Sequence, residues 1–100
     1  MITGPMCEAA RVLVQIDRPR LAETVRLSEK EIADFEKGDH ALSDATIELI
    51  ARALEDYGAI FLPEEGSRGV GVRLKFSRSV TDRLEDLENE GGPSRPDEVP

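Results

Sequence analysis

The chain has 100 residues, of which 34% are charged and 4% aromatic, and its formal net charge is −8 at pH 7. This length predicts one domain with a modest aliphatic core. The negative charge opposes approach to nucleic acid or an anionic membrane, although a local basic face can still bind DNA. No run approaches the roughly 18 apolar residues that span a bilayer, and the N-terminus lacks the basic-then-apolar pattern of a secretion signal. The single cysteine, Cys7, excludes an intrachain disulfide and favours a cytoplasmic location.

Four helices are predicted over the first 58 residues. Thr3 is a suitable N-cap for the first helix, and Pro19 lies at the start of the second, where proline is tolerated. The third helix covers about residues 28–37, and the fourth runs from Ser43 to a terminal Gly58. Apolar residues recur at helical spacing in the first and fourth helices, namely Cys7, Ala10, Leu13 and Val14, then Ile47, Ile50, Ala51, Leu54 and Tyr57.

Residues 17–38 are the most informative stretch, because they predict two short amphipathic helices joined by a tight turn. The apolar stripes of these two helices are Leu21, Ala22 and Val25, then Ile32 and Phe35. Ser28 with Glu31 three positions later has the capping-box arrangement, and Gly38 ends the second helix of the pair. Two helices joined in this way form the helix-turn-helix unit, which can place its second helix in a DNA major groove.

The apolar period changes from helical to two after residue 58. Residues 59–62 are a β-prone run, and the alternation from Val70 to Phe76 predicts a half-buried strand. Because an isolated hairpin is marginally stable, the two strands must pack on the helices or pair with a second copy. A last short helix is predicted from Ser79, and residues 91–100 are expected to be disordered.

Several local motifs occur together along the chain. They are Leu21-Ala22, Leu27-Ser28, Ile32, Phe35-Glu36-Lys37-Gly38, Ala45-Thr46, Gly58-Ala59-Ile60-Phe61 and Gly71-Val72-Arg73-Leu74. Through them the chain resembles the Cro/repressor-like (xenobiotic-response-element, XRE) helix-turn-helix family of bacterial and phage transcriptional regulators. The resemblance implies a mainly α fold. It makes residues 1–58 a four-helix lambda-repressor-like helix-turn-helix domain. The patterns of the later residues divide the rest of the chain into a β-hairpin and short C-terminal helix over residues 59–90, which we expect to serve dimerisation, and a disordered tail over residues 91–100.

Two positions depart from the pattern of that family. Asp17-Arg18 stands where Ser-Gln is common, and Arg18 could replace the amide as a charged donor to phosphate. Arg26 stands in the turn where the family usually has a small residue, often glycine. It is either a tolerated turn residue or an added phosphate contact.

The resemblance also implies which residues would contact DNA. They are Arg18, Arg20, Ser28, Glu29, Lys30, Glu31, Asp34 and Lys37. A single carboxylate can accept a hydrogen bond from a cytosine amino group, but three carboxylates on one helix meet the negative potential of DNA. The alternative is a solvated helix surface whose acidic first turn complements the helix dipole.

The second strand and its surroundings allow two further interpretations. Its apolar stripe predicts core or a homodimer interface formed by Val70, Val72, Leu74 and Phe76. The one positive cluster of the chain comprises Arg68, Arg73, Lys75, Arg78 and Arg83. This cluster could contact phosphates or dock an acidic partner, but we favour the solvent side of an amphipathic hairpin, where such charges protect an exposed edge.

The leading expectation from fold analogy is a small dimeric regulator that binds double-stranded DNA. One alternative is a protein-binding factor, anti-activator or antitoxin-like, whose acidic third helix contacts a basic partner such as another regulatory protein. A further alternative is the DNA-binding domain of a larger assembly. Neither metal-ligand spacing nor a nucleophile–base set is visible, so no enzymatic activity, metal or cofactor is expected.

Overall fold

Four helices and a two-stranded antiparallel hairpin form the fold of residues 1–76, the part of the chain that a computed structural model describes. In chain order the elements are α1 (Gly4–Leu13), α2 (Arg18–Val25), α3 (Glu29–Glu36), α4 (Asp44–Asp56), β1 (Ala59–Leu62) and β2 (Gly71–Leu74). The predicted mainly helical architecture and the predicted hairpin are confirmed. The helix predicted from Ser79 and the predicted disordered tail lie outside the described residues.

Each helix begins at a polar side chain that caps it. Thr3, Asp17, Ser28 and Ser43 each accept a hydrogen bond from the backbone N–H three residues later. The predicted capping box of α3 is complete. The Ser28 N–H donates to Glu31 Oε1 at 2.9 Å, and the Glu31 N–H donates to Ser28 Oγ at 3.0 Å. Local sequence therefore sets the start of every helix.

The turn between α2 and α3 holds a backbone conformation that is unusual for a side chain other than glycine. Arg26 caps the C-terminus of α2 with φ 59° and ψ 42°, in the left-handed region. The Leu27 N–H then donates to the Ala22 carbonyl at 2.9 Å, which closes the turn. At the end of α3, Gly38 has φ 105°, which matches the predicted helix terminator. The turn thus places a strained arginine where the family resemblance leads one to expect a small residue.

One hydrophobic core joins the helices to the hairpin. Its largest fully buried side chains are Leu21, Ile32, Ile50, Leu54, Val14 and Cys7. The predicted apolar face of α1 is largely confirmed, but Leu13 is partly exposed and Met6 is buried. Since α1 contacts α3, α4 and both strands, it lies between the α2–α3 pair and the hairpin.

The hairpin packs on the helices through the centre of its apolar stripe. Phe61 pairs opposite Val72, Ala59 pairs opposite Leu74, and these side chains lie in or against the core. The prediction of a strand from Val70 to Phe76 was too long, because regular pairing covers only Gly71–Leu74. The reason is that β1 lies between Gly58, which ends α4, and Pro63, which has no N–H to donate.

The start of α1 approaches the end of α3 closely, because Gly4 has no side chain. A Cβ atom at Gly4 would overlap the backbone carbonyl oxygen of Phe35, whereas a Cβ at Gly69 would meet nothing within 4 Å. Contact between the two backbones therefore depends on glycine at this position.

Replacing Gly4 with alanine is expected to lower the free energy of unfolding by about 1–3 kcal/mol, since one of the two helices must move. Urea unfolding followed by circular dichroism measures the change. The matched Gly69→Ala variant should stay within about 0.5 kcal/mol of wild type. Equal stability of the two variants would contradict the close approach.

Candidate functional site

The residues predicted to contact DNA all lie on α2, on α3 or at the two caps of α3. The structure exposes six of them and partly buries two. The exposed residues are Arg20, Ser28, Glu29, Lys30, Glu31 and Lys37, and the partly buried residues are Arg18 and Asp34. The two helices contact each other, so these side chains belong to one region of the surface.

A buried carboxylate anchors this region to the rest of the fold. The side chain of Glu36, at the end of α3, is 0% exposed. Arg11 of α1 donates to it twice, from Nε to Oε2 at 2.9 Å and from Nη2 to Oε1 at 3.2 Å. Arg18 of α2 donates from Nε to Oε1 at 2.9 Å. We call these three residues the Glu36 triad. It ties α1, α2 and α3 together at one point.

Two opposing effects set the protonation of Glu36. Burial by itself raises the pKa of the carboxyl group, but the hydrogen bonds from Arg11 and Arg18 outweigh burial and hold this pKa below its usual value. The group is therefore a carboxylate at neutral pH. Two guanidinium groups compensate its charge, which is the condition under which a buried charge is tolerated.

Burial and the nearby Glu36 carboxylate both act on the thiol of Cys7. Cys7 Sγ lies 3.5 Å from Glu36 Oε2. Burial, together with the charge and hydrogen bond of Glu36, raises the pKa of Cys7 to about 12. Because the thiolate is the reactive form, this cysteine is unreactive at neutral pH and acts as a small core residue.

One member of the triad, Arg18, is a residue that the family resemblance predicts to contact DNA. Arg18 has a side chain that is 34% exposed, and its hydrogen bond to Glu36 raises its pKa. A phosphate could reach only the guanidinium nitrogens that face solvent, and it would compete with Glu36 for this side chain. The structure therefore gives Arg18 a positioning role between α2 and α3.

Lys30 also has a carboxylate partner. Its Nζ lies 2.6 Å from Asp34 Oδ2, one helical turn along α3. The hydrogen bond raises the pKa of Lys30, but Lys30 is exposed and solvent screens the pair. Glu29 and Glu31 stand beside this pair in the first turn of α3. The outer face of α3 is consequently acidic.

Arg20 lies on a separate part of the α2 surface. Its guanidinium stacks on the Tyr57 ring, 5.6 Å from the centroid, and its Nε lies 3.4 Å from the Tyr57 hydroxyl. The Thr24 hydroxyl is 3.0 Å from the same oxygen. These contacts join α2 to the end of α4 and leave Arg20 at the surface.

The four residues predicted for the dimer interface differ in their exposure. Val72 and Leu74 pack against the core of their own chain, whereas Val70 and Phe76 are 48% and 46% exposed. The described members of the positive cluster, Arg68, Arg73 and Lys75, are exposed as well, and Arg78 and Arg83 lie outside the described residues.

Sequence analysis did not identify Glu36 as a buried charge, although the pattern contains a signal. Glu36 follows Ile32 by four residues and so lies on the apolar stripe of α3. Arg11 follows Cys7 by four residues on the apolar stripe of α1. An acid and a base that each occupy an apolar stripe indicate a buried ion pair, because neither can be buried alone.

Comparisons with known proteins do not identify the chain. Neither the family models nor the curated proteins contain a match. Across residues 1–76, every helix is too short or too polar to cross a bilayer. The family resemblance therefore rests on the motifs quoted above and stays a prediction.

Substituting glutamine for Glu36 keeps the shape of the side chain and removes its charge. The change should lower the free energy of unfolding by about 2–4 kcal/mol, because it leaves the largely buried Arg11 side chain without a counter-charge. Urea unfolding provides the measurement. The control is Glu48→Gln, which breaks an exposed 3.9 Å pair with Arg52 and should cost less than about 0.5 kcal/mol. A similarly small loss for Glu36→Gln would contradict a structural role for the triad.

Proposed function

We propose that α2, the turn and α3 form a helix-turn-helix and that the protein is a sequence-specific transcriptional regulator that binds double-stranded DNA. The observation that carries this proposal is the way α3 is held. Its outer face is exposed, the capping box fixes its start, and Glu36 fixes its end to α1 and α2. A helix that enters a major groove needs such an exposed face on a rigid support.

The connection between the two helices supports the same proposal. Three residues, Arg26 to Ser28, separate the end of α2 from the start of α3. Turns of three to four residues join the helices of DNA-binding helix-turn-helix units. Within this unit Lys37, at the end of α3, and Arg20, on α2, are exposed cations that could contact phosphates on either side of the groove.

Homodimerisation is part of the proposal. Val70 and Phe76 are exposed apolar residues that flank β2, and a second copy would remove them from water. A two-fold dimer would also place two copies of α3 on half-sites about one helical turn apart. Two chains per duplex is therefore the expected stoichiometry in a DNA titration.

A specific observation favours the second candidate function, a protein-binding factor with a basic partner. Arg18 and Lys30, two of the cations predicted to contact DNA, are already paired with carboxylates. Glu29 and Glu31 then dominate the first turn of α3. Such a face complements a basic protein more readily than a phosphate backbone.

Neutralising an acidic residue on α3 distinguishes the two functions. If α3 faces DNA, Glu29→Gln should strengthen binding to random-sequence duplex about three- to tenfold at low salt, because it removes a like-charge contact. Fluorescence anisotropy at low and moderate salt measures the affinity. Glu55→Gln, which removes an exposed carboxylate from α4, is the control and should have a smaller effect.

The opposite pattern would support the protein-binding function. Wild-type protein would not shift host promoter fragments even at low salt, and Glu29→Gln would weaken the complex with a basic partner from the host. That result would reject DNA binding by α3.

A further inference from the structure

We infer that Arg26, in the turn between α2 and α3, binds a DNA phosphate and sets the register of α3 in the groove. The inference rests on the proposed DNA-binding function. It assigns the phosphate contact to the turn, in place of the contact that the family resemblance assigns to Arg18.

The first argument is that the charge of Arg26 is available. Its side chain is exposed, and within residues 1–76 it takes part in no ion pair or side-chain hydrogen bond. Arg18, by contrast, donates to Glu36 at 2.9 Å, and Lys30 lies 2.6 Å from Asp34. Of these three cations near α3, Arg26 alone can take a phosphate without releasing a carboxylate.

The second argument comes from the backbone at this position. Arg26 has φ 59° and ψ 42°, where glycine is unstrained and asparagine is tolerated but arginine is not favoured. Local folding therefore gives no reason for arginine here. Residues held in sparsely populated backbone regions concentrate at functional sites, and an observed outlier is a legitimate starting point for a hypothesis of function.

The third argument is the rigidity of the turn and its place beside α3. The Arg26 N–H bonds to the carbonyls of Ala22 and Glu23, so the Cα atom is fixed at the end of α2. Ser28, the N-cap of α3, follows two residues later. A guanidinium group at this point can bind phosphate oxygens in a bidentate manner. Phosphate contacts of this kind fix the orientation of a protein on the duplex and carry no sequence information themselves.

Arg26→Asn is the sharpest test, because asparagine tolerates the left-handed conformation, so the change removes the guanidinium group without adding backbone strain. The variant should bind random and promoter duplexes about tenfold more weakly and to the same extent on each sequence. The slope of log affinity against log salt should decrease by about one. Arg26→Lys keeps the charge but loses the planar fork, so its affinity should lie between those of wild type and Arg26→Asn.

The matched control is Arg52→Gln, which removes one positive charge from the exposed side of α4. This control should leave the DNA affinity and its dependence on salt concentration close to those of wild type. Urea unfolding should show that Arg26→Asn and Arg52→Gln are both folded. If wild type binds DNA and Arg26→Asn weakens binding no more than Arg52→Gln does, the inference is overturned while DNA binding stands. A loss confined to one sequence would also overturn it, because that indicates base readout. If wild type does not bind DNA, both the inference and the proposed function are rejected.

Discussion

The ion pairs between Glu36 and the two arginines determine how the first three helices are arranged. Removing a carboxylate from water is costly, and the cost is recovered only where donors meet it with good geometry. Arg11 and Arg18 supply three hydrogen bonds from two different helices. Few arrangements of three helices can satisfy that requirement. The triad therefore favours this arrangement of α1, α2 and α3 over other arrangements that would bury a similar apolar area. It contributes more to the specificity of the fold than to its net stability.

This arrangement also sets the chemical character of the exposed surface. Because Arg18 is drawn toward Glu36, it links α2 to α3, and the outer face of α3 keeps an excess of carboxylates. The close approach permitted by Gly4 holds the end of α3 against the start of α1. Contacts with α1 and α2 thus hold the surface proposed to bind DNA in place. Its free positive charge lies at the edges of α3, at Arg26 and Lys37, and not along the centre of the helix.

Local features of the fold could be predicted from the sequence, and long-range features only in part. The cap at Ser28 and the terminator at Gly38 involve neighbouring residues, so their patterns specify them directly. The length of β2 depends on Gly58 and Pro63, which bound the partner strand β1, and the sequence pattern within β2 does not contain them. The bond between Arg11 and Glu36 spans 25 residues, and choosing the partners of Glu36 requires the packing of three helices. The function of α3 depends on which charges are already paired, and that also requires the folded structure.

The ionisation of Glu36 in the folded protein tests this account most directly. Because its pKa is lowered on folding, the stabilisation is fully present above the ordinary value of 4.5 and is lost as pH falls through the folded value. The carboxyl carbon of Glu36 can be followed by NMR during acidification, with a peptide of residues 29–38 as the reference. We expect Glu36 to stay ionised below the pH at which the peptide glutamates titrate, and its protonation to coincide with loss of the native signals of α3. Titration of Glu36 at the peptide value, with the native signals retained, would contradict the central role of the triad.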